Sequence, residues 1–340
     1  MRSSMRAGIF VLVLFMSAGF LFAAGGNQGG NQGGSQQVYN LRFGHVLTEQ
    51  DLFHKHYLEW VDAAKAASNG RLVIEVYANA QLGKEEDVLE QIRQGANIGW
   101  QTDFARLGSY VRELSVVNAP YFVSNLDEAL KLKDSATIKK LNAELAEKIG
   151  IANISFDWVQ GYRHVFSNVI AKSPAEMRGL RIRTAPAPIW VESVKALGCT
   201  ATPLPYGEIY TGLQTKVVEG CELPYNAALS LNIQEVAKYV METGHIFQLN
   251  ACVVSSAWLN KLPADLQKIL IDTANAAGLK ASKALAAQTD GSKQTMVSKG
   301  MTVIPQKDLD MAGFIRDSAK AYDALNLSAV RASVYKDIGK

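Results

Sequence analysis

A chain of 340 residues, 48% of them hydrophobic and 20% charged, has the apolar content for two ordinary cores and is not a disordered polypeptide. Its net charge of +3, with no long block of lysine and arginine, excludes nucleic acid as the partner. Cys199, Cys221 and Cys252 are odd in number and form no C-x-x-C, which excludes a disulfide framework and a zinc site. Buried free thiols are expected, with a Cys199–Cys221 bridge as the alternative.

In chain order, residues 1–24 read as a signal peptide. Arg2 and Arg6 precede the apolar run AGIFVLVLFMSAGFLFAA, and small residues from Ala23 to Gly25 offer a cleavage site. The alternative is an uncleaved membrane anchor, since the run is nearly long enough to span a bilayer. No cysteine precedes Cys199, so an N-terminal lipidated cysteine is excluded. Residues 25–37, GGNQGGNQGGSQQ, have nothing to bury and read as a flexible tether. Export to the periplasm is expected.

From Val38 onward strand-like and helix-like segments alternate. YNLRFGHVL reads as a strand. TEQDLFHKHYLEWVDAAKAAS reads as a helix with Thr48 as N-cap and an apolar stripe through Leu52, Phe53, Tyr57, Trp60, Val61 and Ala64. RLVIEVYAN, KEEDVLEQIRQG and ANIGWQT follow as strand, helix and strand. GLRIRT, PIWVESVKALG, TATPLP and YGEIYTGLQTKVVEG repeat the rhythm, the last helix closed by Gly220. Two such sets imply sheets with crossover helices in two lobes. GHIFQLNACVVSS is a β-prone run long enough to cross between lobes, and LPADLQKILIDTANAAGLKASKALAAQ a helix long enough to run along both.

Motifs of hydrolysis, nucleotide binding and metal-assisted proteolysis are missing: there is no G-x-S-x-G, G-x-x-x-x-G-K-[ST], H-E-x-x-H or G-x-G-x-x-G. His45, His54 and His56 are close in sequence, but two residues apart on a helix point to different faces, so no metal site is expected. No cofactor is expected either. The feature that remains is a pair of arginines. Arg181 and Arg183 share one face of the strand GLRIRT. Arg183 stands at its carboxyl end, before a strand-to-helix turn, where open α/β sheets hold ligands.

The motifs FGHVL, EVYANAQLGKEEDVLEQIRQGANIG, APYFVSN, GYRHVFSN, MRGLRIRT, ALGCTATPLPYGEIYTGLQTKVVEGCE and TGH occur in this order from about Leu41 to about Gln306. The chain thereby resembles the DctP family, the substrate-binding proteins of tripartite ATP-independent periplasmic (TRAP) transporters. The resemblance implies an α/β, two-lobed periplasmic-binding-protein-like fold with mixed sheets, hinge strands and a long lobe-spanning helix. Residues 38–160 and 249–288 would form lobe I, and 161–248 and 289–340 lobe II.

It also implies that Arg183 holds the ligand's carboxylate with a two-pronged guanidinium, that Arg163 reaches the ligand, and that Tyr206 packs on it. Asp103 matches a position where some members place an acid against the ligand, with Gln101 beside it. Many members of the family read D-G-Q-E-N-P after the helix, with the asparagine holding the ligand carboxylate, whereas this chain reads EGCELPYN; Glu222 keeps the acid, Leu223 takes the asparagine's place, and Asn226 or Tyr225 is the expected substitute. The implied function is a monomeric receptor that delivers a small organic carboxylate to a sodium-driven permease of one small and one large membrane subunit. The alternatives are an exported enzyme acting on an organic acid and a membrane-tethered sensor of the same fold.

Overall fold

The computed structural model describes residues 36–340. The expected signal peptide, and all but the last two residues of the expected tether, lie outside the described residues. Among these, nine strands form one mixed sheet: β1 (Tyr39–Gly44), β2 (Leu72–Tyr77), β3 (Ile98–Asp103), β4 (Ile151–Ser167), β5 (Arg181–Thr184), β6 (Thr200–Pro203), β7 (Gly220–Leu223), β8 (Tyr239–Ser255) and β9 (Thr302–Ile304). Their spatial order is β2-β1-β3-β8-β4-β7-β5-β6, with β9 beside β8.

Each end of the sheet is parallel, β2-β1-β3 on one side and β7-β5-β6 on the other. Parallel neighbours need crossovers, and helices supply them. α1 (Leu52–Ala67) joins β1 to β2, and α2 (Glu85–Arg93) joins β2 to β3. A short helix, α3 (Phe104–Leu107), follows β3, and α4 (Pro188–Ala196) joins β5 to β6. In β1, Leu41 and Phe43 are buried and Asn40 and Arg42 exposed, the alternation of a half-buried strand. α1 stacks Phe53, Tyr57, Trp60 and Ala64 on its inner face, and Trp60 meets Phe43 edge-on with 4.9 Å between ring centroids.

Two local expectations are corrected. α1 starts one turn later than Thr48: Asp51 is its cap and accepts the Phe53 N–H at 2.8 Å. Asp caps as well as Thr does, and only Asp51 directly precedes the apolar stripe. The segment after Tyr206 is helical only to Gln214. Lys216 then turns left-handed at φ 60°, and Gly220 opens β7 instead of closing a helix.

β4 and β8 have 17 residues each and run antiparallel through the middle of the sheet. Together they join the two ends, β8 pairing with β3 and β4 pairing with β7. Their register slips at four places, one of them at Gly161. Gly161 (φ 89°) and Gly244 (φ 51°) take left-handed conformations there that glycine adopts without strain. These are the hinge strands of a two-lobed fold.

The helix α5 (Tyr225–Ser230) follows β7, and α6 (Ala264–Ser298) runs well past the expected end at Gln288. Leu266, Leu270, Ala274 and Leu285 of α6 join the core around Trp60 and Trp158, whereas Met296 joins the core of Phe166, Ile209 and Leu213. The helix therefore serves both lobes. Gly278 faces Trp158 so closely that a Cβ would lie 2.8 Å from its Nε1.

The C-terminal residues reach across to residues expected in lobe I. Tyr322 and Tyr335 donate to the carbonyls of Pro120 and Phe122, each at 2.8 Å, and Asp337 accepts from Ser135 and Thr137. This segment thus covers residues expected in lobe I. Amphipathic period shows that a helix has an apolar face, not which surface it will cover. Cys199, Cys221 and Cys252 are free and buried, and Cys199 Sγ lies 3.6 Å from Met177 Sδ. Among the described residues no helix is long and apolar enough to cross a membrane.

Candidate functional site

β5 places its two arginines in opposite settings. Arg181, at the start, is exposed and paired with Glu219. Arg183, at the carboxyl end, is 1% exposed and lines a cavity. Its Nε and Nη2 donate to the Leu204 carbonyl at 2.9 and 2.6 Å. Among the described residues, no carboxylate makes an ion pair with it. Burial pulls its pKa down to about 10, with Glu222 opposing the shift and Arg163 adding to it.

Arg163 comes from β4 and lines the same cavity. Its Nε donates to the Glu222 carboxylate, its Nη2 to the Glu222 carbonyl, and its Nη1 to Gln248 Oε1 at 2.6 Å. Its guanidinium carbon lies 3.9 Å from the centroid of the Trp190 ring. Glu222 is fully buried, and the Thr184 hydroxyl donates to it at 2.7 Å. Burial alone would raise the Glu222 pKa, but Arg163 and His245 outweigh it and hold the carboxyl at about 2. Arg163 therefore has a carboxylate partner within the protein, and Arg183 has only a carbonyl.

The facing wall comes from α2, β3 and α3. Asp103 caps α3, accepting the Arg106 N–H at 2.9 Å with one oxygen and Arg106 Nη1 with the other. Arg106 Nε also lies 3.1 Å from Glu86 and 3.3 Å from Glu85. Burial pushes the Glu85 carboxyl up to about 7 in spite of Arg106, with Asp103 adding to the rise. Gln101 of β3, and Tyr206 from the segment after β6, also line the cavity, with the Gln101 Oε1 and the Tyr206 hydroxyl both buried and unpartnered.

Of the residues expected at the site, Arg183, Arg163, Tyr206, Asp103 and Gln101 are brought together around one cavity. Tyr225 and Asn226 are not. The Tyr225 hydroxyl donates to Glu242 at 2.8 Å, its ring packs on Phe166, and Asn226 lines a separate groove with Asp51 and Ser292. Leu223 and Pro224 occupy the lining position, and the helix that begins at Tyr225 turns the next two side chains away. Arg106, Glu85 and Trp190 line the cavity without having been singled out as ligand residues. Arg106 was legible only as a cation three residues after Asp103, a spacing that faces it on a helical turn.

Comparison with known proteins shows what the chain as a whole resembles. Residues 43–327 match the family profile of the bacterial extracellular solute-binding proteins, family 7, DctP. A solute-binding protein of Roseobacter denitrificans is 26% identical over 303 residues, 89% of each chain. Its crystal structure, with bound L-galactonate, has a TM-score of 0.82 and covers 90% of this chain and 100% of that one. The 2,3-diketo-L-gulonate-binding periplasmic protein of Escherichia coli K12 is 28% identical, covering 81% of this chain and 83% of its own. A TRAP periplasmic solute-binding protein from Ochrobacterium anthropi with bound L-fuconate is 25% identical, with a TM-score of 0.83 over 89% of this chain and 99% of that one. The fold is that of a two-lobed solute-binding protein. The chain belongs to extracellular solute-binding protein family 7, the binding proteins of TRAP transporters.

Proposed function

We propose that this protein is the receptor of a TRAP transporter: it encloses a small organic carboxylate between its lobes, with Arg183 as the anchor, and delivers it to a membrane permease. The observation that carries this is the state of Arg183, a cation 1% exposed, in a cavity, with only a carbonyl for a partner. A charge taken from water without a counter-ion is costly, and a ligand carboxylate supplies that counter-ion in the bidentate geometry guanidinium prefers. Arg163 acts beside it, orienting the site through Glu222 and Trp190. Tyr206, Asp103 and Gln101 form the rest of the enclosure. The acids bound by the Roseobacter and Ochrobacterium proteins support the ligand class.

The protein works in the periplasm after loss of its signal peptide, as a monomer, with a permease of one small and one large subunit driven by a sodium gradient. It returns its ligand chemically unchanged. Mass spectrometry of the acid released on denaturation identifies the ligand. Titration calorimetry of that acid against Arg183→Ala tests the anchor, and unaltered binding by the variant would overturn it. Prolonged incubation that converts the acid into a product would establish an enzyme instead.

A further inference from the structure

The hinge strands β4 and β8 have two faces, and the cavity of Arg183 uses one of them. Arg163 and Gln248 line that cavity, whereas their chain neighbours Tyr162, His164 and Phe247 line a second one of about 350 Å³. Successive residues of a strand point to opposite faces, so the two cavities lie back to back across the hinge, with Gln160 at the boundary of both. The far wall of the second is α6. Its Ser282 accepts the Val159 N–H and donates to the Asp157 carbonyl, each at 2.6 Å, which ties the helix to the hinge strand. Tyr162, half-exposed, donates its hydroxyl to the Ser124 carbonyl and meets Phe247 edge-on with 4.9 Å between ring centroids. With Val159 and Leu285 these rings make an apolar, aromatic lining of a size that small molecules occupy. His164 accepts the Gly244 N–H on Nδ1 at 3.2 Å, and burial lowers its pKa to about 3, so the ring is neutral. Asp290, exposed on α6, thus carries the one formal charge in the lining, and among the described residues no cation pairs with it.

We infer that this pocket behind the hinge binds a small arylalkyl ammonium, its ring on Tyr162 and Phe247 and its cationic head toward Asp290, and that its occupation strengthens binding in the Arg183 cavity. The coupling rests on the carboxylate-binding reading above; the pocket itself does not. Burial of the ring supplies most of the affinity, because Asp290 is exposed and an exposed ion pair contributes little. Asp290 decides the sign of the head group. The coupling follows from the position of the pocket. At the front of the hinge, Thr48 Oγ1 after β1 and Ser230 Oγ of α5 meet at 2.7 Å, although they come from opposite ends of the sheet. A bend of β4 and β8 that parts them at the front narrows the gap at the back. The open rear pocket and the joined front therefore belong to one conformer, and a ligand of either cavity favours it for the other.

The test is calorimetry with 2-phenylethylamine, against 2-phenylethanol as the uncharged analogue. The wild-type protein should bind the amine more tightly than the alcohol. Asp290→Asn should weaken the amine about twofold to fivefold, the scale of an exposed ion pair, and leave the alcohol as it was. Ala286→Trp, at an exposed position of α6 that lines the pocket, fills the space with an indole and should abolish binding of both. Should that variant fail to fold by circular dichroism, Asp290→Lys takes its place and should weaken the amine more than Asp290→Asn does. No binding of the amine, equal binding of amine and alcohol, or wild-type binding of the amine by Ala286→Trp or Asp290→Lys overturns the site. The coupling is read by titrating L-galactonate, L-fuconate and succinate with and without saturating amine: the acid that binds should bind about fivefold or more tightly in its presence, and not in Ala286→Trp. Equal affinity in the two titrations overturns the coupling. If none of these acids binds, the carboxylate reading fails for them, while the amine titrations still decide the pocket.

Discussion

The two walls of the cavity each bury arginine, and they treat its charge differently. On the wall of α2, β3 and α3, Arg106 is surrounded by Asp103, Glu85 and Glu86. On the wall of β4, β5 and β7, Arg163 has Glu222, while Arg183 has only the Leu204 carbonyl. The first wall neutralises its cation and is left with spare acceptors; the second is left with a spare cation. The two walls thus differ in unmet polarity rather than in the count of charges, and the proposed carboxylate would meet the spare cation of the second.

The largest expected effect breaks the second wall. Arg183→Ala should weaken ligand binding by about 2–5 kcal/mol, and Arg183→Lys should also bind poorly, since a point charge cannot reproduce the fork. Arg181→Ala should be mild, its partner Glu219 lying on the surface. Equal losses in calorimetry for Arg181 and Arg183 would remove the distinction between them.

Next is the paired arginine. Glu222→Gln leaves Arg163 as an uncompensated buried charge and should lower the stability of the empty protein by about 3–5 kcal/mol. Arg183→Met, which removes a charge already uncompensated, should leave that stability unchanged or raise it. Urea unfolding of the two variants compares them directly, and a destabilised Arg183→Met would show that Arg183 has a counter-ion within the fold.

The pH dependence separates a carboxylate held down by its cation from carboxylates pushed up by burial. Glu222 titrates at about 2 against an ordinary 4.5, so its contribution is present above pH 4.5 and is lost as pH falls toward 2. Burial raises Glu85 to about 7 and Asp51 to about 6, the reverse sign. Their contribution is complete below their ordinary values of 4.5 and 3.8, and is lost as pH rises through 7 and 6. The empty protein should thus be more stable near pH 5 than at pH 8, and Asp51→Asn should flatten part of that slope. A melting scan across this range checks it, and a slope unchanged in Asp51→Asn would count against the shift.

The smallest effect is expected at the N-terminus. Residues before Val38 have no apolar period, so a chain beginning at Tyr39 should melt and bind ligand as the longer one does. A ligand-blind truncation would place part of the recognition outside both walls.

Much of the second wall was legible in the amino-acid sequence, and little of the first. Period-two alternation put Arg181 and Arg183 on one face, because a strand's faces are set by a few adjacent residues, and the place at the strand end singled out Arg183. The hinge strand β8 and the start of α6 were legible for the same reason. Tyr225 and Asn226 were expected in the cavity because they follow Glu222 closely, yet a helical turn beginning at Tyr225 sends them elsewhere. The pairing of Arg163 with Glu222, the seating of the C-terminal tyrosines on Pro120 and Phe122, and the orphaned oxygens of Glu85 and Gln101 were decided only by tertiary structure. Local periodicity is written into neighbouring residues. Which buried group finds a partner, and which is left for a ligand, depends on contacts between segments far apart in the chain, and no short stretch of residues encodes them.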